Sequence, residues 1–141
     1  MDWNGTSWIN SRPITEINTS ANEISPFLST DGQLLYFSSD RDGGLGGYDL
    51  WMSLRESGGR WGTPVNLGKN LNTAYNEYDP AYHEFGQTLY FSSNRPEREL
   101  TSKELDAWKG TLRELRFEED YDLWASSLSN GDSNGVNVPA F

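Results

Sequence analysis

Short apolar runs broken by turn residues follow one another along the chain. The run LLYFSS at Leu34–Ser39 is apolar on both alternating sets of positions, which predicts a strand covered on both faces. Before it, the predicted strand EISPFLS is followed by Asp31-Gly32, a dipeptide favoured in tight hairpin turns. After it, YDLWMSL predicts a third strand, and WGTPVNLG predicts a fourth in which Pro64 is tolerated at a sheet edge. The pattern predicts an all-β chain with antiparallel sheets of four strands.

This strand pattern occurs twice. The ExxP segment at Glu23 recurs as a second ExxP segment at Glu77, and the same shift carries the YFSS sequence at Tyr36 to the one at Tyr90. The YDLW sequence at Tyr48 recurs at Tyr121, which is farther along the chain than that shift would place it, so the second copy contains an insertion. A repeat of roughly 50 residues with several strands per unit is typical of β-propeller blades.

The combined pattern ExxP, DG, LYFSSDR, GYDLW, W and PxNLG resembles the WD40-like repeats of TolB-type β-propellers, over about residues 8 to 127. This resemblance implies a periplasmic or cell-envelope location in bacteria. Two features depart from the family pattern. The second turn, His83–Gly86, lacks the aspartate of the family's turn, and the insertion is foreign to the repeat.

The repeat also predicts how the chain is divided. We expect residues 1–17 to carry an outer strand that completes another blade, 18–67 to form the first blade and 68–127 the second. Within the second blade, a capping box at Thr101–Glu104 and an apolar stripe that includes Trp108 predict a short helical insertion at 96–120. Residues 128–141 are expected to be a flexible tail, with GVNVP as an alternative source of the second blade's outer strand.

Two blades cannot close a ring, because propellers generally need 4–8 blades. The unmatched blade faces predict a homo-oligomer joined head to tail, and a six-bladed ring from three chains is favoured because TolB-like rings are often six-bladed. The alternative is that the sequence is an excerpt of a longer propeller.

The composition limits the kinds of binding partner that we expect. The net charge is −10, which disfavours binding to nucleic acid, and the absence of cysteine excludes disulfides and cysteine metal sites. No apolar run is long enough to predict a membrane span. The first residues, MDWNGTSW, have neither a basic start nor an apolar core, so no signal peptide is expected in this chain.

Candidate binding residues fall on one end of the predicted blades, where the crossovers, the Gly-rich loop and the insertion meet. They are Glu23, Asp40, Arg41, Asp42, Glu77, Arg95 and Trp108. Arg41 with Asp49 and Arg95 with Asp122 are expected to brace the loops through charged hydrogen bonds. No cofactor is expected; calcium at Asp40 and Asp42 is a weak alternative, because the loop DRDGG only loosely resembles a calcium loop.

Catalysis finds little support in the residue types. His83 is the single histidine, and there is no nucleophile elbow or phosphate loop, so no catalytic residue is assigned. The favoured function is a noncatalytic scaffold that binds a protein, peptide or glycan. The alternative is an enzyme of polysaccharide or peptide breakdown that uses Glu23 and Glu77 as carboxylates lining a central channel.

Overall fold

A computed structural model describes residues 2–96 and 121–127, and over these residues the chain is all-β, as predicted. The described strands are β1 (Asp2–Trp3), β2 (Trp8–Ile9), β3 (Glu23–Leu28), β4 (Leu34–Ser39), β5 (Asp49–Leu54), β6 (Val65–Asn66), β7 (Glu77–His83), β8 (Thr88–Ser93) and β9 (Asp122–Ser127). No helix occurs within these two ranges. The predicted helical insertion at 96–120 lies almost wholly outside the described residues, and the predicted tail at 128–141 lies outside them entirely.

Two antiparallel sheets follow each other along the chain. The first sheet has the order β3-β4-β5-β6 and the second has the order β7-β8-β9, so each strand pairs with its neighbour in sequence. The predicted fourth strand of the first sheet is short, with Val65–Asn66 paired to β5 and one isolated bridge from Arg55 to Trp61. Near the N-terminus, β2 pairs with β1, so in this chain the segment forms a small hairpin of its own.

The two sheets repeat each other in irregularities as well as in sequence. The pairing of β3 with β4 shifts register between Ile24 and Phe27, and the pairing of β7 with β8 shifts between Tyr78 and Ala81. Each bulge contains a non-glycine residue with positive φ just before its proline, Ser25 in one sheet and Asp79 in the other. The bulge is thus part of the repeated unit, since the repeated sequence places it at equivalent positions.

The hairpin turns differ, as their sequences suggest. In the first, the amide of Gly32 donates to the carbonyl of Ser29, and Gly32 has φ 72°. In the second, Gln87 takes the left-handed conformation with φ 47°, and its amide donates to the carbonyl of Glu84. The left-handed position has moved one residue along because the aspartate of the first turn has no counterpart in the second.

The core forms where the sheets stack. One face of the first sheet packs against one face of the second; we call these the contact faces, and their buried residues are Leu34, Tyr36, Leu50, Met52 and Leu67 in the first sheet and its following segment, with Leu89 and Phe91 in the second. The back face of the first sheet forms a smaller cluster of Leu35, Phe37 and Trp51 under Ile17. Strand β4 is therefore buried on both faces, as its apolar pattern predicts.

Candidate functional site

One end of the two sheets gathers the crossovers and the Gly-rich loop. The amide of Asn22 in the first crossover donates to Asp40 at 2.8 Å. The amide of Gly47 donates to the carbonyl of Tyr75 in the second crossover at 3.0 Å, and the amide of Tyr48 donates to Oδ1 of Asn76 at 3.0 Å. These contacts join 17–22, 40–48 and 71–76 into one surface, which we call the loop end.

Glu23 lies at the centre of a hydrogen-bond network at the loop end. Its carboxylate accepts from the amide and the hydroxyl of Thr19, at 3.0 and 2.6 Å. Nη2 of Arg41 lies 3.0 Å from Oε1 of Glu23 and also donates to the carbonyl of Ile17, while its Nε donates to Oγ of Ser39. The arginine thus ties the crossover to the end of β4, and the glutamate is its counter-charge.

The second sheet repeats this network. Glu77 accepts from the amide and the hydroxyl of Thr73 at 2.9 and 2.7 Å, and from Oγ of Ser93 at 2.9 Å. Arg95 lies 3.2 Å from Glu77 and donates to the carbonyl of Leu71. The Glu77 side chain is fully buried, whereas that of Glu23 retains 11 % of its exposure.

Aromatic rings form the floor under both guanidinium groups. Arg41 lies 4.8 Å from the ring centre of Phe37 and 5.2 Å from that of Trp51. In the second sheet, Arg95 lies 5.1 Å from Phe91 and 4.9 Å from Trp124. Stacking on two rings holds each planar guanidinium in place and covers the rings from solvent.

The expected pairing of Arg41 with Asp49 is wrong, because Arg41 pairs with Glu23. Asp49 instead accepts from the amides of Leu45 and Gly46, at 2.6 and 3.2 Å, and from Nδ2 of Asn66 at 2.7 Å. Arg95 likewise pairs with Glu77 rather than with Asp122. The sequence carries a signal for the correct pairs, since glutamate and arginine are 18 residues apart in both copies.

The acidic side chains of the loop end act as fixed acceptors. Partial burial raises the pKa of Glu23, but the hydrogen bonds from Thr19 and the charge of Arg41 outweigh it, so the pKa lies below its ordinary value. Hydrogen bonds from Asn22 lower the pKa of Asp40. Both carboxyl groups are therefore ionised at neutral pH, and neither has the raised pKa of a general acid.

Asp40 and Asp42, the candidate calcium residues, lie on the exposed side of the loop end. Both oxygens of Asp40 are already engaged by Asn22, Oδ1 with its amide and Oδ2 with its Nδ2 at 2.9 Å. Over residues 2–96 and 121–127, no group of three or more His, Cys, Asp or Glu side chains is arranged to hold a metal ion.

A row of tyrosines that was not predicted from the sequence crosses the loop end. The ring centres of Tyr48 and Tyr78 are 4.9 Å apart, and those of Tyr78 and Tyr121 are 5.4 Å apart. Tyr48 and Tyr121 hold equivalent positions before β5 and β9, and Tyr78 lies between them on β7. The repeated YDLW sequence was the available signal, but which residue separates the two tyrosines depends on sheet stacking.

Of the predicted site residues, the structure brings Glu23 together with Arg41 and Glu77 with Arg95, and it joins Asp40 to the first crossover through Asn22. Asp42 is exposed on the following loop. Trp108 lies outside the described residues. In the part of the chain that is described, no helix is long and apolar enough to cross a membrane.

Comparison with known proteins adds no relative. No protein-family profile, curated protein or solved structure matches the chain.

Proposed function

We propose that the chain is a noncatalytic scaffold of the β-propeller type, whose two sheets are two blades and whose loop end binds a protein, peptide or glycan. The observation that carries this proposal is the repeated network. Glu23 with Arg41 and Glu77 with Arg95 make the same contacts in both sheets. A side-chain constellation that recurs in every unit serves the unit's architecture, whereas an active site is generally built once.

The strand order supports the identification of the sheets as blades. Each sheet runs up and down with neighbours paired in sequence, and a crossover leads from the end of one sheet to the first strand of the next. Successive sheets then stack face to face, as propeller blades do. Ring closure would need further sheets, and we propose that three chains supply six blades. The resemblance to TolB-type repeats favours the bacterial cell envelope as the location.

The loop end combines aromatic edges with acidic groups. The tyrosine row holds the two sheets together there, with Tyr48 and Tyr78 in contact across the interface, and the outer ring edges and hydroxyl groups of the row are suited to contact a polymer. Asp40 and Asp42 lie on the same end, so a neutral or basic partner fits better than an acidic one. Sugar rings and peptides with aromatic or basic side chains have this chemistry.

The alternative function, hydrolysis of a polysaccharide or peptide by Glu23 and Glu77, is less well supported. Both carboxylates accept hydrogen bonds from a threonine and an arginine of their own sheet, and Glu77 is fully buried. A general acid needs a raised pKa, whereas the pKa of Glu23 is lowered. The single histidine, His83, accepts from the amide of Gly86 within a hairpin turn.

Binding and turnover can be measured on the same samples. We would titrate the protein with panels of soluble oligosaccharides and of unstructured peptides, follow binding by NMR, and assay the mixtures for new reducing ends and amino termini. Binding without product is expected. It should weaken several-fold in Asp42→Asn, which removes an exposed charge of the loop end, and persist in Phe85→Ala, which truncates an exposed aromatic residue in a turn outside the loop end. Product formation that disappears in Glu23→Gln would contradict the proposal.

A further inference from the structure

The outer face of the second sheet exposes side chains whose equivalents in the first sheet are buried. Tyr36 is 4 % exposed and its equivalent Tyr90 is 49 % exposed. Leu50 is fully buried and its equivalent Leu123 is 87 % exposed. We call this surface, with Tyr90 and Leu123, the open face. The difference has a simple cause, because the contact face of the first sheet is covered by the second sheet.

The interface within the chain shows what a covering sheet must provide. Across it, the rings of Tyr36 and Tyr82 lie 5.8 Å apart. The equivalent of Tyr36 in the second sheet is Tyr90. The equivalent of Tyr82 in the first sheet is Leu28, which is 51 % exposed. If another first sheet stacked on the open face, Tyr90 and Leu28 would meet at this new interface, which we call the next interface. Both side chains are largely apolar, and both are exposed in the single chain.

Two more pairs can be compared in the same way. Tyr48 contacts Tyr78 across the interface within the chain. The equivalent of Tyr48 in the second sheet is Tyr121, and the equivalent of Tyr78 in the first sheet is Ile24; both are exposed. Oγ of Ser25 donates to Oδ1 of Asp79 at 2.5 Å across the same interface. At the next interface the corresponding residues are Asp79 and Ser25 again, with their positions exchanged. The hydroxyl of Ser25 has one proton, which it donates to Asp79 of its own chain, so Ser25 supplies no second hydrogen bond at that contact.

We propose that a second copy of this chain docks β3 of its first sheet on the open face, with Leu28, Ile24 and Ser25 of the incoming copy meeting Tyr90, Tyr121 and Asp79. The part of that sheet face behind β4 is already covered by Ile17, so the contact is made by the exposed β3 residues. This inference rests on the proposed function, in which the sheets are blades of one ring. The contact is heterologous, because two different surfaces of the same chain meet. Each docked copy presents its own open face, so the contact repeats until the ring closes.

The chain itself favours a second copy over another partner. Tyr36 and Leu50 of the contact face have the large apolar equivalents Tyr90 and Leu123 on the open face. The smaller Thr88 and Ala125 replace Leu34 and Met52 there. Within the chain, the contact face of the first sheet is covered by a second sheet of this repeat. The first sheet carries the same repeat, including the bulge with Ser25 at positive φ that corresponds to the bulge with Asp79. One sequence thus supplies both halves of the interface in a common register, as stacked repeat proteins do.

Two variants test the proposal, and each disrupts one of the two surfaces that would meet at the interface between copies. Leu123→Asp places a charge on the open face, and Leu28→Asp places a charge on the surface that would dock there. Both side chains are largely exposed in the single chain, so each variant should fold, which circular dichroism and thermal unfolding would check. Phe85→Asp is the control, because Phe85 is exposed and its equivalent in the first sheet, Asp31, is already an aspartate beside a sheet interface that forms.

Native mass spectrometry would then compare the variants alone and mixed. Each of the two interface variants should be monomeric, Phe85→Asp should keep the wild-type mass, and an equimolar mixture of Leu28→Asp with Leu123→Asp should give a 1:1 dimer and nothing larger. The dimer is expected because the first variant retains the open face and the second retains the surface that docks on it.

Three results would overturn the proposal in distinguishable ways. If the wild type is an oligomer and Leu123→Asp keeps its mass, the interface is wrong while the ring of the proposed function stands. If Leu28→Asp alone keeps the wild-type mass, the copies meet through their open faces in a symmetric pair. If the wild type is monomeric at every concentration, the ring fails with the interface.

Discussion

The two glutamate–arginine pairs have the same partners but differ in exposure. The arginines are similar, with 14 % exposure for Arg95 and 10 % for Arg41, but Glu77 is fully buried whereas Glu23 retains 11 % of its exposure. Removing one member of a buried ion pair leaves the other charge without compensation in a poorly solvated place. The cost of losing the arginine should therefore depend on how well water can replace it.

This contrast makes a prediction for matched variants. Arg95→Met should lower the free energy of unfolding by about 3–5 kcal/mol, and Arg41→Met by a smaller amount of about 1–3 kcal/mol. Methionine keeps most of the length that covers the aromatic floor, so the loss reports mainly on the charge and its hydrogen bonds. Urea unfolding of the two variants measures the difference. Equal losses, or a larger loss at Arg41, would contradict the assignment.

Acid should destabilise the protein through Glu23. Its pKa in the folded chain lies below the ordinary value of 4.5, so the folded state favours the ionised form and gains stability above that pH. This stability is lost as the pH falls through the lowered pKa of the folded state. The free energy of unfolding should thus be level from about pH 7 to 5 and decline below 4.5.

The variant Glu23→Gln checks this assignment. Glutamine cannot titrate, so the variant should be less stable at neutral pH and should lose less stability between neutral and acid pH. Denaturant unfolding at a series of pH values measures both slopes. If wild type and variant decline in parallel below pH 4.5, the acid sensitivity comes from other carboxyl groups.

At this scale the sequence predicts residue types better than partners. The residue types predict acids and arginines at one end of the sheets, but the predicted partner of Arg41 is Asp49, which begins the following strand, and this pairing is wrong. The actual partner, Glu23, starts the preceding strand. Strand pairing brings it beside Ser39, two residues before Arg41, and the equal spacing in both repeats records this.

At the scale of the element, the loop after β4 is held against the following crossover by backbone contact. A Cβ atom at Gly46 would collide with the carbonyl oxygens of Thr73 and Tyr75, so only glycine lets the chains approach this closely. Beside it, the amide of Gly47 donates to Tyr75, and the amide of Glu77 donates to the carbonyl of Tyr48 at 2.7 Å. These hydrogen bonds join the first sheet to the second at the loop end.

The variant Gly46→Ala should break this junction. We expect a loss of about 1–3 kcal/mol, because the carbonyl groups it meets belong to backbone that cannot turn away cheaply. Hydrogen exchange should quicken at the amides of Gly47 and Glu77. The control is Gly58→Ala, which meets no atom within 4 Å but has φ of 103°, so it isolates the conformational cost of about 1 kcal/mol. Unchanged exchange at Gly47 and Glu77 in Gly46→Ala would contradict the close junction.

The strands themselves were largely predictable. The predicted strands EISPFLS, LLYFSS and YDLWMSL coincide with β3, β4 and β5 because alternation and turn residues are local signals. The fourth strand is the least accurate prediction, since only Val65–Asn66 pairs with β5. An edge strand is held by partners on one side alone, so its length depends on tertiary contacts that the sequence pattern does not contain.

At the scale of the whole molecule, the chain contains one sheet interface, and Tyr90 and Leu123 on the other face of the second sheet are exposed. The repeat and the all-β class could be predicted from the sequence, because both depend on spacing and alternation. The sequence could not predict which sheet face is exposed, because Tyr36 and Tyr90 lie in nearly identical sequences and differ only in whether a sheet is stacked on them. The same reasoning applies to the tyrosine row, which is assembled from both sheets.

The solution mass of the wild-type chain shows whether the sheets of several copies close into a ring. Light scattering behind size exclusion, across a range of loading concentrations, should give three times the 15.9 kDa of one chain if six blades from three copies close a ring. Closure removes every open face, so the mass should stop rising at that value. A mass of 15.9 kDa at all concentrations would contradict the ring, because no second copy would then cover the exposed Tyr90 and Leu123.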